Sequence, residues 1–400
     1  MAKPNGPRCN IDCTYCYYLE KEKLFEAEKK FRMSDSVLEN YVRQLIETSV
    51  EAGMQEVGFY WQGGEPTLPG IDYYRNVLAL QQRYKPAGVT ITNALQTNGL
   101  LLDDDWGRFF HDNGFLVGIS IDGPAKEHNR YRVDRMGKPT ASRVLKGLEV
   151  LQTHNVNYNV LTTVHRANGT KGKTVYRFLR SLGVDYIQFI PIVERLGSEG
   201  LLAQAPQMDA DNEYPVTDWS VPPRIYGKFL CDVFDTWFKQ DIGKVFVQHF
   251  DVMLQKWLRM GDSLCLFAET CGGGLALEHD GSLYSCDHYV YPEYSLGNIM
   301  QTPLCEMVWS QRQIDFGNDK RDSLTEQCKA CTFRFACNGG CPKHRFIRSK
   351  QGEAGHNYFC EGYMQFFSHA ASRLDDMAKL VAMGRTAAEA ANQPRKRESQ

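Results

Sequence analysis

Four hundred residues are enough for a large core and by length alone imply about two or three domains. With 46 basic against 48 acidic residues, neither a nucleic-acid partner nor an anionic lipid surface has a broad basic face to bind. No run of 18 or more apolar residues occurs, and residues 1–8 lack a charged segment leading into an apolar one. The chain is therefore expected to be soluble, unexported and cytoplasmic, with no membrane partner.

Thirteen cysteines in a reducing compartment point to metal ligation or catalysis rather than disulfides. Three lie in the first sixteen residues, none follows until Cys231, and nine of the remaining ten fall between Cys265 and Cys360. Such bunching implies two metal-bearing regions separated by an ordinary fold.

Cys9, Cys13 and Cys16 stand at C-x3-C-x2-C spacing and offer three thiolates where a closed tetrahedral site needs four. A four-iron cubane held by three cysteines keeps one iron open to a substrate or cofactor. A zinc site, or a few buried thiols, is the alternative.

Beyond this loop, short apolar or β-branched runs at 57–61, 89–95, 116–121, 158–164 and 186–192 alternate with helical patterns at 36–50, 73–84, 103–113, 141–154 and 173–182. Several runs are nearly continuous in apolar character, as strands covered on both faces should be. With a short strand ahead of Cys9, the alternation predicts an α/β fold over 1–225, a partial (β/α)6 TIM-like barrel with a parallel sheet and its chemistry at the strands' C-terminal ends. Three polar motifs sit there: Gln62-Gly63-Gly64-Glu65-Pro66, Gln96-Thr97-Asn98-Gly99 and Ser120-Ile121-Asp122-Gly123. Read alone, each is also an ordinary turn.

Residues 194–223 read as a linker or substrate-side loop, and 226–264 as a helical connector whose apolar stripe belongs to the core. Cys231 and Cys305 are most simply buried thiols. A cysteine-rich domain over 265–365 then reads C-x5-C-x14-C and, after 41 residues, Cys328-x2-Cys331-x5-Cys337-x3-Cys341-x18-Cys360. Eight cysteines suffice for two fully ligated four-iron clusters, although C-x2-C pairs are also common zinc hooks. A C-terminal helix is expected over 366–391, and a disordered tail over 392–400.

The opening loop with its glycine-rich and Ser-x-Asp partners resembles the radical S-adenosylmethionine enzymes, and the second region resembles their SPASM extension. Met1-Ala2-Lys3-Pro4 leading to Cys9, Cys16-Tyr17-Tyr18-Leu19-Glu20-Lys21, Cys286-Asp287-His288-Tyr289-Val290 and Leu296-Gly297-Asn298-Ile299 resemble the anaerobic sulfatase-maturating enzymes. The resemblance implies three [4Fe-4S] clusters and S-adenosyl-L-methionine. Cys9, Cys13 and Cys16 would hold the catalytic cluster; Cys265, Cys271, Cys286 and Cys341 the first auxiliary cluster; Cys328, Cys331, Cys337 and Cys360 the second. Tyr15, Gly63, Gly64, Glu65, Ser120, Asp122 and Arg143 would contact S-adenosylmethionine.

The same resemblance implies oxidation of a cysteine or serine, in a C/S-x-P/A-x-R motif of an unfolded or nascent sulfatase, to Cα-formylglycine. Hydrogen abstraction from Cβ would start the reaction. Asp287 would be the base, with support of the neighbouring ligand Cys286 or capping of its loop as the alternative; Gln62 and Tyr18 would position the substrate, unless Tyr18 simply packs; and His288 would orient Asp287 or be satisfied locally. A low-potential donor such as flavodoxin or ferredoxin would supply electrons. Other SPASM maturases that crosslink ribosomal peptides commonly carry a recognition domain ahead of the barrel, for which the eight residues before Cys9 leave no room. A zinc- or cluster-binding interaction protein is the alternative of another class.

Overall fold

The computed structural model describes residues 1–18, 21–23, 31–197, 201–207 and 214–392. The five apolar runs form strands β1 (Glu56–Trp61), β2 (Thr90–Thr97), β3 (Leu116–Ser120), β4 (Asn157–Val164) and β5 (Tyr186–Pro191), and β6 (Phe246–Val247) adds a sixth. They pair in chain order, all parallel. Parallel neighbours need long crossovers. Helices Ile71–Tyr84, Asp104–Asp112, Ala141–Thr153 and Gly172–Ser181 supply four of them, with Asp35–Glu51 leading into β1.

The strands are not covered on both faces. In β1, Val57, Phe59 and Trp61 are buried, and Tyr41 of helix Asp35–Glu51 packs edge-on against Phe59 and Trp61. Tyr60, on the opposite face, is 58% exposed, as are Leu116 (46%), Tyr186 (52%) and Phe246 (45%). Six strands close only part of a barrel, so the inward face lines an open lumen instead of a filled core.

Two expectations are corrected. The strand ahead of Cys9 is reduced to a single bridging residue, Ala2, whose N–H donates to the Tyr60 carbonyl (2.8 Å) and whose carbonyl accepts from Gln62 N–H (3.0 Å). The sixth strand comes instead from the helical connector, which divides into helices Pro223–Gln240 and Gln248–Trp257 around β6. Gly243, at φ +79°, turns the chain between them.

Residues 194–223 are not a free linker where described. Thr217 N–H donates to the Glu194 carbonyl (3.0 Å) and Val221 N–H to the Ile192 carbonyl (3.0 Å). Residues 198–200 and 208–213 lie outside the described residues, as do 393–400 of the expected tail.

The second region carries a three-stranded antiparallel sheet, β7 (Ala276–Leu277), β8 (Ser282–Tyr284) and β9 (Ser295–Asn298). Lys3 N–H donates to the Leu277 carbonyl (2.9 Å), so one N-terminal segment joins this sheet to the barrel. The C-terminal helix starts earlier than expected and spans Cys360–Ala382. It crosses helix Pro223–Gln240 at two glycines. A Cβ on Gly362 would stand 2.2 Å from the Pro223 carbonyl oxygen, and one on Gly227 2.6 Å from that of Gly362. Only hydrogen fits at this crossing.

Candidate functional site

The Cys9–Cys13–Cys16 loop lies across the C-terminal ends of the strands, held by Asp12 N–H to the Val133 carbonyl (2.8 Å) and Thr14 N–H to the Tyr131 carbonyl (3.0 Å). Its thiols act on one another, and burial followed by the Glu65 carboxylate pushes Cys9 up to about 12. Donors point at the sulfurs: Asn98 Nδ2 at Cys9 Sγ (3.6 Å) and Arg132 Nη1 at Cys13 Sγ (4.0 Å). Hydrogen-bond donors aimed at buried sulfur fit thiolate ligands of a cluster.

Beside the thiols is a pocket lined by Tyr15, Tyr18, Gln62, Gly63, Gly64, Gln96, Asn98, Ser120 and Arg132. Gly63 adopts φ +135°, and a Cβ on Gly64 would stand 2.0 Å from the Arg8 carbonyl oxygen, so the glycine-rich turn packs directly on the cysteine loop. Ser120 Oγ accepts from Gln96 Nε2 (3.1 Å).

Two expected contact residues face away from this pocket. Glu65, fully buried, accepts from Thr67 N–H (3.0 Å), Thr67 Oγ1 (2.6 Å), Thr97 Oγ1 (2.8 Å) and Asn98 N–H (2.8 Å). Its carboxylate ties the first motif to the second, with three donors on Oε1 and one on Oε2. Asp122, also fully buried, accepts from Tyr15 Oη (2.6 Å), Arg132 Nε (3.0 Å) and Thr163 N–H (3.0 Å). Burial opposes its charge, but Arg132 and His165 hold its carboxyl below the usual range. Asp122 thereby anchors Tyr15 and Arg132, which do line the pocket.

Arg143 is not brought to the pocket. It sits on the exposed side of helix Ala141–Thr153 and pairs with Asp134 (2.8 Å), itself bridged to Ile11 of the cysteine loop. The guanidinium in the pocket is that of Arg132.

Asp287 is buried where the two regions meet. It accepts from Tyr17 Oη and pairs with Lys3, which is itself 1% exposed. Burial disfavours its charge, yet Lys3 leads the interactions that hold its carboxyl well below the ordinary value. Beside it, Tyr18 Oη donates to the buried Glu278, and the Lys3 ammonium lies 3.3 Å from the centre of the Tyr18 ring. His288 makes no hydrogen bond to Asp287; its ring packs on Tyr17 at 5.0 Å. Burial is also the main cause that lowers His288 to about 3, so it carries no positive charge at neutral pH. Lys3, Tyr17, Glu278, Asn98 and Arg132 were not singled out from sequence. Asn98 lay inside the second motif, and Lys3 and Tyr17 inside segments that carried the family resemblance; Glu278 and Arg132 carried no sequence signal.

Eight of the remaining ten thiols gather in two sets. Cys271, Cys286 and Cys341 act on one another or on Cys265, and Cys337 and Cys360 act on Cys328 and Cys331. Burial leads in pushing Cys271 up to about 11 and Cys337 to about 12. Beside the first set is a fully buried lysine, Lys320, donating to the Cys265 carbonyl (2.5 Å), with Arg345 5% exposed nearby. Buried cations beside buried thiols suit an anionic cluster. Among the described residues no three His, Cys, Asp or Glu side chains converge on a single-ion site. Cys231 and Cys305 join neither set.

The Radical SAM superfamily model matches residues 6–179, and an iron-sulfur cluster-binding domain, SPASM, matches 265–332. A serine-type anaerobic sulfatase-maturating enzyme of Bacteroides thetaiotaomicron is 44% identical over 95% of this chain and 91% of its own length. A cysteine-type enzyme of Clostridium perfringens is 32% identical over 95% and 98%. The structure of native anSMEcpe with bound AdoMet and Kp18Cys peptide superposes with a TM-score of 0.81 at 31% identity, covering 94% of this chain and 98% of that one. By identity and coverage together, the chain belongs to the anaerobic sulfatase-maturating enzymes of the radical S-adenosylmethionine superfamily.

Proposed function

We infer that this protein oxidises a serine or cysteine, in a C/S-x-P/A-x-R motif of a sulfatase polypeptide, to Cα-formylglycine. The observation that carries the reading is the ionised, buried Asp287 next to Cys286, at the seam between the cysteine-loop pocket and the second region. When bound, the catalytic cluster and S-adenosylmethionine supply a carbon radical able to take hydrogen from Cβ of the target. Asp287 accepts the side-chain proton as the residue is oxidised, and Lys3 and Tyr17 hold its carboxylate in position.

Cys9, Cys13 and Cys16 hold the open-iron cluster. Cys265, Cys271, Cys286 and Cys341 hold the first auxiliary cluster, and Cys328, Cys331, Cys337 and Cys360 the second; both are full and suited to electron transfer. Gly63, Gly64, Ser120 and Tyr15 line the space for S-adenosylmethionine, and Glu65 and Asp122 brace it from behind. Arg143 stays with Asp134 outside this space, and the guanidinium that faces it is that of Arg132. Gln62 and Tyr18 bear on the substrate side. A cytoplasmic location and a flavodoxin- or ferredoxin-like donor belong to the same reading.

Serine-type relatives share more of this sequence (44% and 37%) than a cysteine-type one (32%), which supports serine as a substrate. Anaerobic incubation of reconstituted enzyme with S-adenosylmethionine, reductant and matched serine and cysteine peptides tests this by mass spectrometry. Aldehyde in neither peptide would overturn the function.

A further inference from the structure

The partial barrel leaves a lumen of about 950 Å³, near the top of the range of about 300–1,000 Å³ typical of ligand sites. It meets the cysteine-loop pocket at Gln62 and Gln96, which line both. The polar lining is neutral, with carboxamides from Asn157, Asn159, Gln188 and Gln248 facing the same space. Among the described lining residues the one charged group is Asp251, in the first turn of helix Gln248–Trp257.

Asp251 has no hydrogen bond or ion pair among the described residues, and burial alone pushes its carboxyl up to about 6. A carboxylate withdrawn from water without a partner is costly. A cation entering the lumen would meet no competing lysine, arginine or histidine among the described lining residues.

The target residue of the C/S-x-P/A-x-R motif is followed by arginine at the fourth position. Four extended residues reach at most about 14 Å, whereas a six-residue strand such as β1 is about 20 Å long. A peptide running down the lumen from a target side chain at the Gln62 and Ser120 end would therefore keep its arginine inside it. We propose that Asp251 receives the arginine of the substrate motif and so selects which residue enters the site. The proposal rests on the formylglycine reading. Its chemistry is the charge-assisted, two-pronged pairing of guanidinium with carboxylate, while the carboxamides accept and donate to the peptide backbone. Asp251 acts as a specificity-determining residue, remote from the reacting atoms.

The test pairs two peptides, one with arginine at the motif position and one with citrulline, against reconstituted wild type, Asp251→Asn and Asp251→Glu. Peptide binding is followed by fluorescence anisotropy without reductant, and product formation separately. Wild type is expected to prefer arginine by about 30- to 100-fold, chiefly in Kd and KM. In Asp251→Asn the preference collapses to within about threefold, and Asp251→Glu restores most of it. Undiminished preference in Asp251→Asn, or none in wild type, overturns the proposal. A preference in binding that needs Asp251, without product from either peptide, would uphold Asp251 and sink the formylglycine reading.

Discussion

The ammonium of Lys3 pairs with the carboxylate of Asp287 in near-complete burial, joining the first residues of the barrel region to the residue beside Cys286. Each group would be costly to bury alone, and together they keep Asp287 ionised.

Asp287→Asn removes the proton acceptor and keeps the shape. Formylglycine yield should fall by at least about 100-fold, while the protein stays brown and still cleaves S-adenosylmethionine. Product yield near that of wild type, measured by mass spectrometry, would take Asp287 out of the mechanism.

Lys3→Met strands the carboxylate. Breaking a buried pair from one side costs about 3–5 kcal/mol, so thermal unfolding should shift down clearly. Combining Lys3→Met with Asp287→Asn should recover most of the lost stability without restoring activity. A double variant no more stable than Lys3→Met would show that the two side chains are not energetically coupled.

The cysteines divide by iron content. Three four-iron clusters give about twelve irons per chain. Cys341→Ala should drop this to about eight, as should Cys271→Ala, whereas Cys231→Ala and Cys305→Ala should retain all of it. Equal iron in Cys341→Ala and wild type would break the proposed set around Lys320.

Glu65→Gln puts an amide NH2 where donors converge from Thr67, Thr97 and Asn98. An unmet buried hydrogen-bonding group costs about 1–3 kcal/mol. The loosened turn should weaken S-adenosylmethionine binding about tenfold by calorimetry with iron content unchanged, and unaltered binding would mean that Glu65 does not support the pocket.

Asp251 gives a pH signature. Its folded carboxyl is raised from 3.8 to about 6, so folding favours the protonated form. The resulting loss of stability is absent below about pH 4, grows between pH 4 and 6, and is complete above that. Asp251→Asn should therefore stabilise the protein at pH 7.5 by about 2 kcal/mol, after discounting the shift for partial exposure. It should make little difference at pH 4. Thermal scans of peptide-free enzyme at both pH values check this, and equal melting of variant and wild type at pH 7.5 would indicate a paired carboxylate.

The motif residues Gly63, Gly64 and Ser120 were legible because their types answer local needs: close backbone approach and a hydroxyl at a strand end. Glu65 and Asp122 were legible as belonging to the site but not in their part. Whether a carboxylate faces a ligand or braces a neighbouring loop depends on donors from other strands, here Thr97 and Thr163. Arg143 was expected in the pocket by charge, yet helix Ala141–Thr153 turns it toward Asp134, and Arg132 stands in the pocket instead. The sixth strand went unread because two residues are too short for a periodicity between two strong helical patterns.

Local spacing and alternation determined the parallel sheet, the three-thiol loop and a second region rich in ligands, since each repeats over a few neighbouring residues. Spacing could not place Cys341 with Cys265, Cys271 and Cys286, a set that the family resemblance implied, and only tertiary structure decided that Lys3 meets Asp287 and that Asp251 faces an open lumen. Those relations depend on how distant segments pack, and a pairwise energy between remote side chains leaves no trace in the spacing of either one.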